Sequence, residues 1–498
     1  MVVIKPNRVG PFPFPKVEAE ERKKGFSEVE LPYTKEQAML EADRCLRCGT
    51  PVCIDACPVQ MDVRGMLDAV ANGDFKTAYH RIRETNPLLG VTARCCPQLQ
   101  GLCEDACVVR WRGQPLSIGM VQRFVADWEQ NGARQPDPQK EQKTGKRVAV
   151  VGSGPAGLAA AELLLRYGHE VTIYEEAEHL GGTAWYGIPD YHLPKDVLTY
   201  EANRIVGQGA KVKKGTKVGK DISLSALASE SDAVLVATGS RDVKKLDIPG
   251  ADLEGVLDGY GFLETVYGDG VSEYLKEPRK GLGKEILVVG GGDSALDCAR
   301  TALRLTRGHV VVYYRRTEKE MPADPIMVQE AREEGVEFVF LSDPVEYVGQ
   351  GGRVVGATVA AMQLGEPDSS GRKHPEPIPG KSSRVKCDTV LLAIGRGPDS
   401  FLERAGGLKA GPKGSIAIDD HYRTSMSGVY ATGDVATGET LVVKAMGHGR
   451  EAAQRVHEYL MRIEDGHVSL YEEYYTRRAT EESYQDMLMR KEEDLPPD

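Results

Sequence analysis

Eight of the ten cysteines fall between Cys45 and Cys107, while Cys298 and Cys387 stand alone far downstream. The first group runs Cys45-x2-Cys48-x4-Cys53-x3-Cys57-Pro58, and the second is Cys95, Cys96-Pro97, Cys103 and Cys107. The opening residues Met1 to Pro6 contain no apolar leader, so the chain reads as cytoplasmic, where thiols stay reduced. Metal or redox chemistry is therefore expected here rather than disulfides. A closely spaced run ending in Cys-Pro is a ferredoxin-like feature, in which the fourth cysteine serves the other cluster. Short loops supply three thiolates and a distant segment completes the shell, so the two groups together predict two [4Fe–4S] clusters with crossed ligation. Structural zinc is the plainer alternative, but it needs neither so many ligands nor the Cys-Pro endings. Cys95 and Cys96 are neighbours that cannot both ligate. Seven thiolates and one vacancy remain, and Cys96 is the preferred ligand because Pro97 follows it.

Around these cysteines, from about Thr34 to Gln122, the pattern is helical, with short helices at Met66–Ala71 and Phe75–Thr85. Residues 1–35, charged and Pro-containing, read as an extended arm or loop rather than a packed element. Gln135–Lys146 reads as a linker. Beyond it the texture changes to strand-like runs, Gly turns and helical stretches in alternation, the mark of α/β units on parallel sheets.

Two of those units carry dinucleotide fingerprints. Lys146 to Val151 is a strand, followed by Gly152-Ser153-Gly154-Pro155-Ala156-Gly157, an Ala/Leu-rich helix, and a second strand ending at Glu175. The glycines permit a tight turn and close approach of a pyrophosphate to the helix N-terminus, and Glu175 is placed to bind ribose hydroxyls. FAD is the expected ligand, with Gly152, Gly154, Gly157, Glu175, Gly182, Gly239, Gly433 and Asp434 as binding residues. Asp434, in Ala431-Thr432-Gly433-Asp434, can bond a ribityl hydroxyl. The second unit runs Glu285 to Val289 into Gly290-Gly291-Gly292-Asp293-Ser294-Ala295, and its next strand ends in Arg315-Arg316 instead of an acid. Arginine there favours a 2′-phosphate, which predicts NADP(H) over NAD(H), held by Gly290, Gly292, Asp293, Ser294, Arg315 and Arg316. No acid/base residue is singled out, because hydride transfer needs proximity and stacking more than a general acid.

Taken with Cys45-Leu46-Arg47-Cys48-Gly49, Tyr186-Gly187-Ile188-Pro189 and Met321-Pro322-Ala323, these phrases resemble the small (beta) subunit of bacterial glutamate synthase over residues 30–460. The wider family includes the large subunit of the electron-bifurcating Nfn-type ferredoxin:NADP oxidoreductase and the N-terminal half of dihydropyrimidine dehydrogenase. The resemblance implies that Cys45, Cys48, Cys53 and Cys107 hold one cluster, and that Cys57, Cys96, Cys103 and Gln122 hold the other. Gln122 stands where some relatives have Glu, a change in charge beside a cluster.

The expected architecture is α/β with an N-terminal all-α iron–sulfur domain (1–140). Two Rossmann-like domains follow, the NADP(H) domain (246–392) being inserted in the FAD domain (141–245 and 393–460), with a C-terminal tail at 461–498. The expected function is an NADP(H)-dependent flavin/iron–sulfur oxidoreductase subunit in a hetero-oligomer. Its partner is a second redox subunit, either a glutamate synthase large subunit or a ferredoxin-reductase-like small subunit. A net charge of −11 leaves no broad basic field for nucleic acid, and no apolar run approaches the ~20 residues of a membrane span. A disulfide reductase would need paired redox cysteines beside the flavin, and Cys298 and Cys387 have no sequence neighbour.

Overall fold

The computed structural model describes residues 14–276, 282–367 and 372–463. The cysteine-rich segment folds as five principal helices: α1 (Lys35–Asp43), α2 (Val63–Ala71), α3 (Phe75–Arg83), α4 (Leu89–Cys95) and α5 (Ile118–Gln130). Their starts follow from capping chemistry. Thr34 and Gln37 form a reciprocal capping box on α1, and Asp62 and Asp74 accept from Gly65 and Thr77 at the heads of α2 and α3. The loops between them carry the cysteines.

After an irregular connection at residues 133–146, the chain builds two five-stranded parallel sheets. The first orders β15 (Val429–Ala431), β4 (Ala233–Val236), β1 (Arg147–Val151), β2 (Glu170–Tyr174) and β3 (Lys211–Lys213). The second orders β6 (Val256–Asp258), β13 (Thr389–Leu392), β7 (Glu285–Val289), β8 (His309–Tyr314) and β9 (Glu337–Phe340). Because β15 returns to the first sheet after the whole second sheet, one nucleotide fold is inserted in the other. The two crossing segments, β5 (Ser240–Val243) and β14 (Arg396–Pro398), pair antiparallel. Each parallel sheet has the continuous apolar strands expected of a sheet covered on both faces: β1 is buried from Val148 to Val151 and β7 from Ile286 to Val289. Principal helices here are α6 (Pro155–Arg166), α7 (Lys195–Gly207), α8 (Gly259–Tyr267), α9 (Asp293–Thr306), α10 (Pro325–Glu334) and α11 (Val442–Met461).

Two features depart from the sequence expectation. A three-stranded antiparallel sheet, β10 (Ser342–Gln350), β11 (Arg353–Pro367) and β12 (Lys373–Lys386), grows out of the second nucleotide fold. Its Gly-, Pro- and Lys-rich outer strand is exposed, so no apolar alternation announced it. The arm is also packed rather than loose. Arg22 is buried and reaches Glu330, Glu333 and Glu334 on α10, Arg304 of α9 donates to the Gly25 carbonyl (3.0 Å), and Glu28 pairs with Arg94 (2.7 Å) and Arg123 (2.9 Å). It staples the helical domain to the second nucleotide fold. The segment expected as a C-terminal tail lies outside the described residues beyond Ile463.

Glu334 is the hub of that contact, fully buried and accepting from Arg300 and Arg304 (2.7 Å each). These arginines hold its carboxyl down to about 2, against a burial effect that works the other way. Removing one member of such a group leaves uncompensated buried charge, so Glu334→Ala is expected to cost roughly 3–5 kcal/mol, read as a lowered thermal midpoint. The depressed carboxyl contributes stability above its unfolded value of 4.5 and loses it as pH falls toward 2. An unchanged melting curve for Glu334→Ala would remove the hub from the stability of this fold.

Candidate functional site: a cleft shared by two dinucleotide turns

A cleft of about 250 Å³ opens along the C-terminal edge of the first sheet. Strand β1 delivers the Gly152–Gly157 turn to it, and α6 begins at Pro155 with Gly154 as its N-cap. Gly157 permits the helix to approach the strand: a β-carbon there would lie 2.1 Å from the Gly152 carbonyl oxygen. Gly449 of α11 likewise approaches the Ala156 carbonyl, where a β-carbon would sit at 2.2 Å. Gly154 is different, with no atom within 4 Å of its absent β-carbon, so the space above the turn is open. That open cradle at a helix N-terminus fits a pyrophosphate.

Glu175, at the end of β2, lines the cleft and accepts from the Ser153 amide (2.9 Å), the Ser153 hydroxyl (2.6 Å) and the Ala177 amide (2.9 Å). Gly182 and Gly239 also line it, whereas Gly157 and Gly433 lie behind the wall as packing glycines. Gly433 has φ 67 and directs Asp434 inward. Burial pushes the Asp434 carboxyl up to about 7, with Glu439 adding to the shift and Arg396 opposing it. Its Oδ1, together with the Thr238 and Thr432 hydroxyls, is buried without a hydrogen-bond partner among the described residues. Orphaned polar atoms on the wall of a deep cleft fit a polyhydroxylated ligand such as the ribityl chain of FAD.

The second fingerprint meets the same cleft. Gly290 and Gly292 shape the turn after β7, and Asp293 and Ser294, at the head of α9, line the cleft's far end with Asp297 and His192. His192 donates from Nε2 to the Arg94 carbonyl (2.9 Å). The two arginines of β8's end separate. Arg315 is exposed, while Arg316 is buried and donates from Nε to the Lys373 carbonyl (2.8 Å) on β12, which makes it part of the sheet packing. Sequence reasoning missed Arg396, which stacks over Tyr260 (3.8 Å) and donates to the Thr183 hydroxyl (3.1 Å). These three residues are remote in sequence, and no local pattern marked them.

No disulfide joins any of the ten cysteines. Cys53 neighbours Cys107, Cys45 and Cys48, and Cys96 and Cys103 neighbour Cys57. Burial, followed by the proximity of neighbouring groups, pushes the Cys53, Cys96 and Cys103 thiols up; burial raises Cys107 to about 12 and also raises Cys57. Thiolates crowded in this way are stable only beside strongly cationic partners, and bound metal inverts the local preference. The donor set therefore fits iron–sulfur clusters. Among the described residues no three Cys, His, Asp or Glu side chains converge to grip a single ion. Cys95, a neighbour of Cys96, lines the cleft. Gln122 is buried, and its amide nitrogen donates to the Leu89 carbonyl (2.7 Å) and the Thr92 hydroxyl (2.8 Å) of α4. The amide oxygen is thus the atom that could face iron. Cys298 and Cys387 are each buried in the second nucleotide fold, and neither lines the cleft.

Away from the cleft, His169 bonds Thr144 (2.7 Å) and His457 (2.9 Å). Burial, then the adjacent His457, lowers His169 from 6.5 to about 4, and burial with Lys444 does the same to His448. The unfolded chain therefore binds these protons first. Stability is full above pH 6.5 and falls as pH drops toward 4, so the melting midpoint is expected to decline across that window. His169→Gln should flatten the decline; an identical slope would exclude His169 as a source.

Residues 146–449 match the family model described as pyridine nucleotide-disulphide oxidoreductase, and residues 22–133 match dihydropyrimidine dehydrogenase domain II, 4Fe-4S cluster. The glutamate synthase [NADPH] small chain of Escherichia coli K12 is 36% identical over 459 residues, covering 90% of this chain and 96% of that protein. The corresponding chain of Azospirillum brasilense is 36% identical, covering 89% and 93%. The NADP(+)-dependent formate dehydrogenase subunit beta of Moorella thermoacetica is 36% identical, covering 82% of this chain but 60% of its own length. Among solved structures, Mycobacterium tuberculosis FprA in complex with NADPH superposes with a TM-score of 0.53 at 18% identity, covering 70% of this chain and 89% of that one, a likeness of fold. The chain belongs to the pyridine nucleotide-disulphide oxidoreductase family, as an oxidoreductase of the glutamate synthase small-chain type joined to a 4Fe–4S domain.

Proposed function

We propose that this chain is the NADP(H)-dependent FAD and iron–sulfur subunit of a multi-subunit redox enzyme, acting in the cytoplasm and exchanging electrons with a second redox subunit. The observation that carries this reading is the single cleft reaching from the Gly152–Gly154 turn to Asp293 and Ser294, with Cys95, the covalent neighbour of Cys96, on its wall. This supports a reading in which flavin, nicotinamide dinucleotide and thiol-bound iron bind side by side. FAD bound here supplies acceptance of a hydride and release of its electrons one at a time. The chain's own residues bind and orient. The Gly152–Gly157 turn and the α6 N-terminus hold the pyrophosphate, Glu175 and Asp434 hold sugar and ribityl hydroxyls, and Arg396 with Tyr260 closes the wall between the two nucleotide folds. Gly290, Gly292, Asp293 and Ser294 shape the NADP(H) turn, and exposed Arg315 reaches the 2′-phosphate. Cys45, Cys48, Cys53 and Cys107 ligate one cluster, and Cys57, Cys96, Cys103 and Gln122 the other. Pairing Cys96 rather than Cys95 with iron is supported by the nearness of Cys96 to Cys57, while Cys95 lines the cleft.

The partner we favour is a glutamate synthase large subunit, because the two small-chain relatives are matched over nearly their whole length. The formate dehydrogenase subunit at the same identity favours a second reading, the NADP(H) module of another redox complex. Anaerobic purification through a tag on this chain in its native host, with mass spectrometry of what co-purifies, decides between them. A large amidotransferase-type subunit is expected; a dehydrogenase or small ferredoxin-reductase-like subunit instead would replace the first reading.

A further inference from the structure

The helix that carries Gln122 begins in an unusual way. Its N-cap, Ser117, makes no capping bond with its own side chain. The first amides of α5 are taken instead by two buried carboxylates from elsewhere in the chain. Glu41 accepts from the Ser117 amide (2.9 Å), and Glu104 accepts from the Gly119 amide (2.9 Å) and is bonded by the Ile118 amide. Both are almost fully buried, at 0% and 3% exposure. A buried carboxylate is costly unless its hydrogen bonds are satisfied, and helix-start amides are donors in need of a partner, so each stabilises the other. Glu104 directly follows Cys103, and Gln122 lies one turn beyond Gly119 on α5. The far side of Gln122 is tied to α4, which ends at Cys95 beside Cys96. The α4 helix starts on a borrowed carboxylate as well: Glu201 of α7 accepts from Gly90 (2.6 Å) and Val91 (3.2 Å).

We infer that Glu104 is a positioning residue for the second iron–sulfur cluster: by clamping the start of α5 it sets the Gln122 amide in register with Cys103. It acts through the helix and is not itself a ligand. This rests on the assignment of Cys57, Cys96, Cys103 and Gln122 to one cluster proposed above.

The test uses the full chain, purified anaerobically as wild type, Glu104→Ala, Glu104→Gln and Gln122→Ala. Iron, sulfide and flavin are quantified, and electron paramagnetic resonance spectra of the dithionite-reduced proteins are recorded. Glu104→Ala loses both acceptors and is expected to keep FAD and the first cluster's signal while losing or broadening the second. Glu104→Gln keeps one acceptor oxygen and should restore the iron content with a shifted signal. Gln122→Ala should perturb that same signal. Unchanged iron and spectra in Glu104→Ala would overturn the inference, as would a normal second signal in Gln122→Ala beside its loss in Glu104→Ala, which would make Glu104 the ligand. A wild-type chain with iron for a single cluster would overturn the ligand assignment itself, separately from the clamp.

Discussion

Gly154→Val is expected to yield a folded chain without flavin. The chain has room for a side chain there, since nothing lies within 4 Å of the missing β-carbon. The space that valine would fill is the mouth of the cleft over the α6 N-terminus, where a pyrophosphate must come within hydrogen-bond reach of backbone amides. Filling a close-contact position costs roughly 1–3 kcal/mol or more, which is about 5- to 150-fold or more in affinity. Gly157→Ala is the control with a different signature. Its β-carbon would meet the Gly152 carbonyl oxygen at 2.1 Å, backbone against backbone, so α6 must move off β1 and stability falls together with flavin. Visible spectra and thermal melting separate the two cases. A Gly154→Val protein that purifies with a full complement of FAD would mean that the ligand lies elsewhere.

Arg315→Ala is expected to raise KM for NADPH by roughly 10- to 100-fold while leaving NADH kinetics nearly unchanged, because hydrogen bonds to a charged group are worth about 1.5–3 kcal/mol. Arg316→Ala should behave differently. Arg316 is buried and donates to the Lys373 carbonyl, so its loss should loosen β12 and lower thermal stability without selecting between the two cofactors. Anaerobic dye-reduction assays with each nucleotide check both. Equal losses with NADPH and NADH for Arg315→Ala would contradict phosphate recognition at this position.

The parallel sheets and their glycine turns were readable because local pattern and tertiary role coincide. Val148 to Val151 is apolar since β1 is covered on both faces, and the glycine spacing that follows is demanded by close backbone contact. The two cysteine groups are local in sequence because each sits in short loops between helices, and residues 22–133 match a 4Fe-4S domain. Long-range partners were not readable. Nothing local in Arg22 foretells Glu330 and Glu334 three hundred residues away, so a charged, Pro-containing arm looked unpacked when it is a buried staple. Arg315 and Arg316 are equivalent in sequence, and only the neighbouring β12 strand distinguishes them. Arg396, Tyr260 and Thr183 meet from three separate segments, and Glu104 is disclosed as a cap only when α5 lies against it. The antiparallel sheet escaped because its outer strand faces solvent and carries no apolar stripe.

The most direct measurement is anaerobic titration of the purified chain with NADPH, with FAD, iron, sulfide and zinc quantified and both optical and paramagnetic resonance spectra recorded. The expected result is FAD, iron and sulfide for two [4Fe–4S] clusters, little zinc, bleaching of the flavin band by NADPH and no comparable bleaching by NADH. A chain that binds zinc at its cysteines, or whose flavin is untouched by NADPH, would contradict a cleft built to join a nicotinamide dinucleotide to iron.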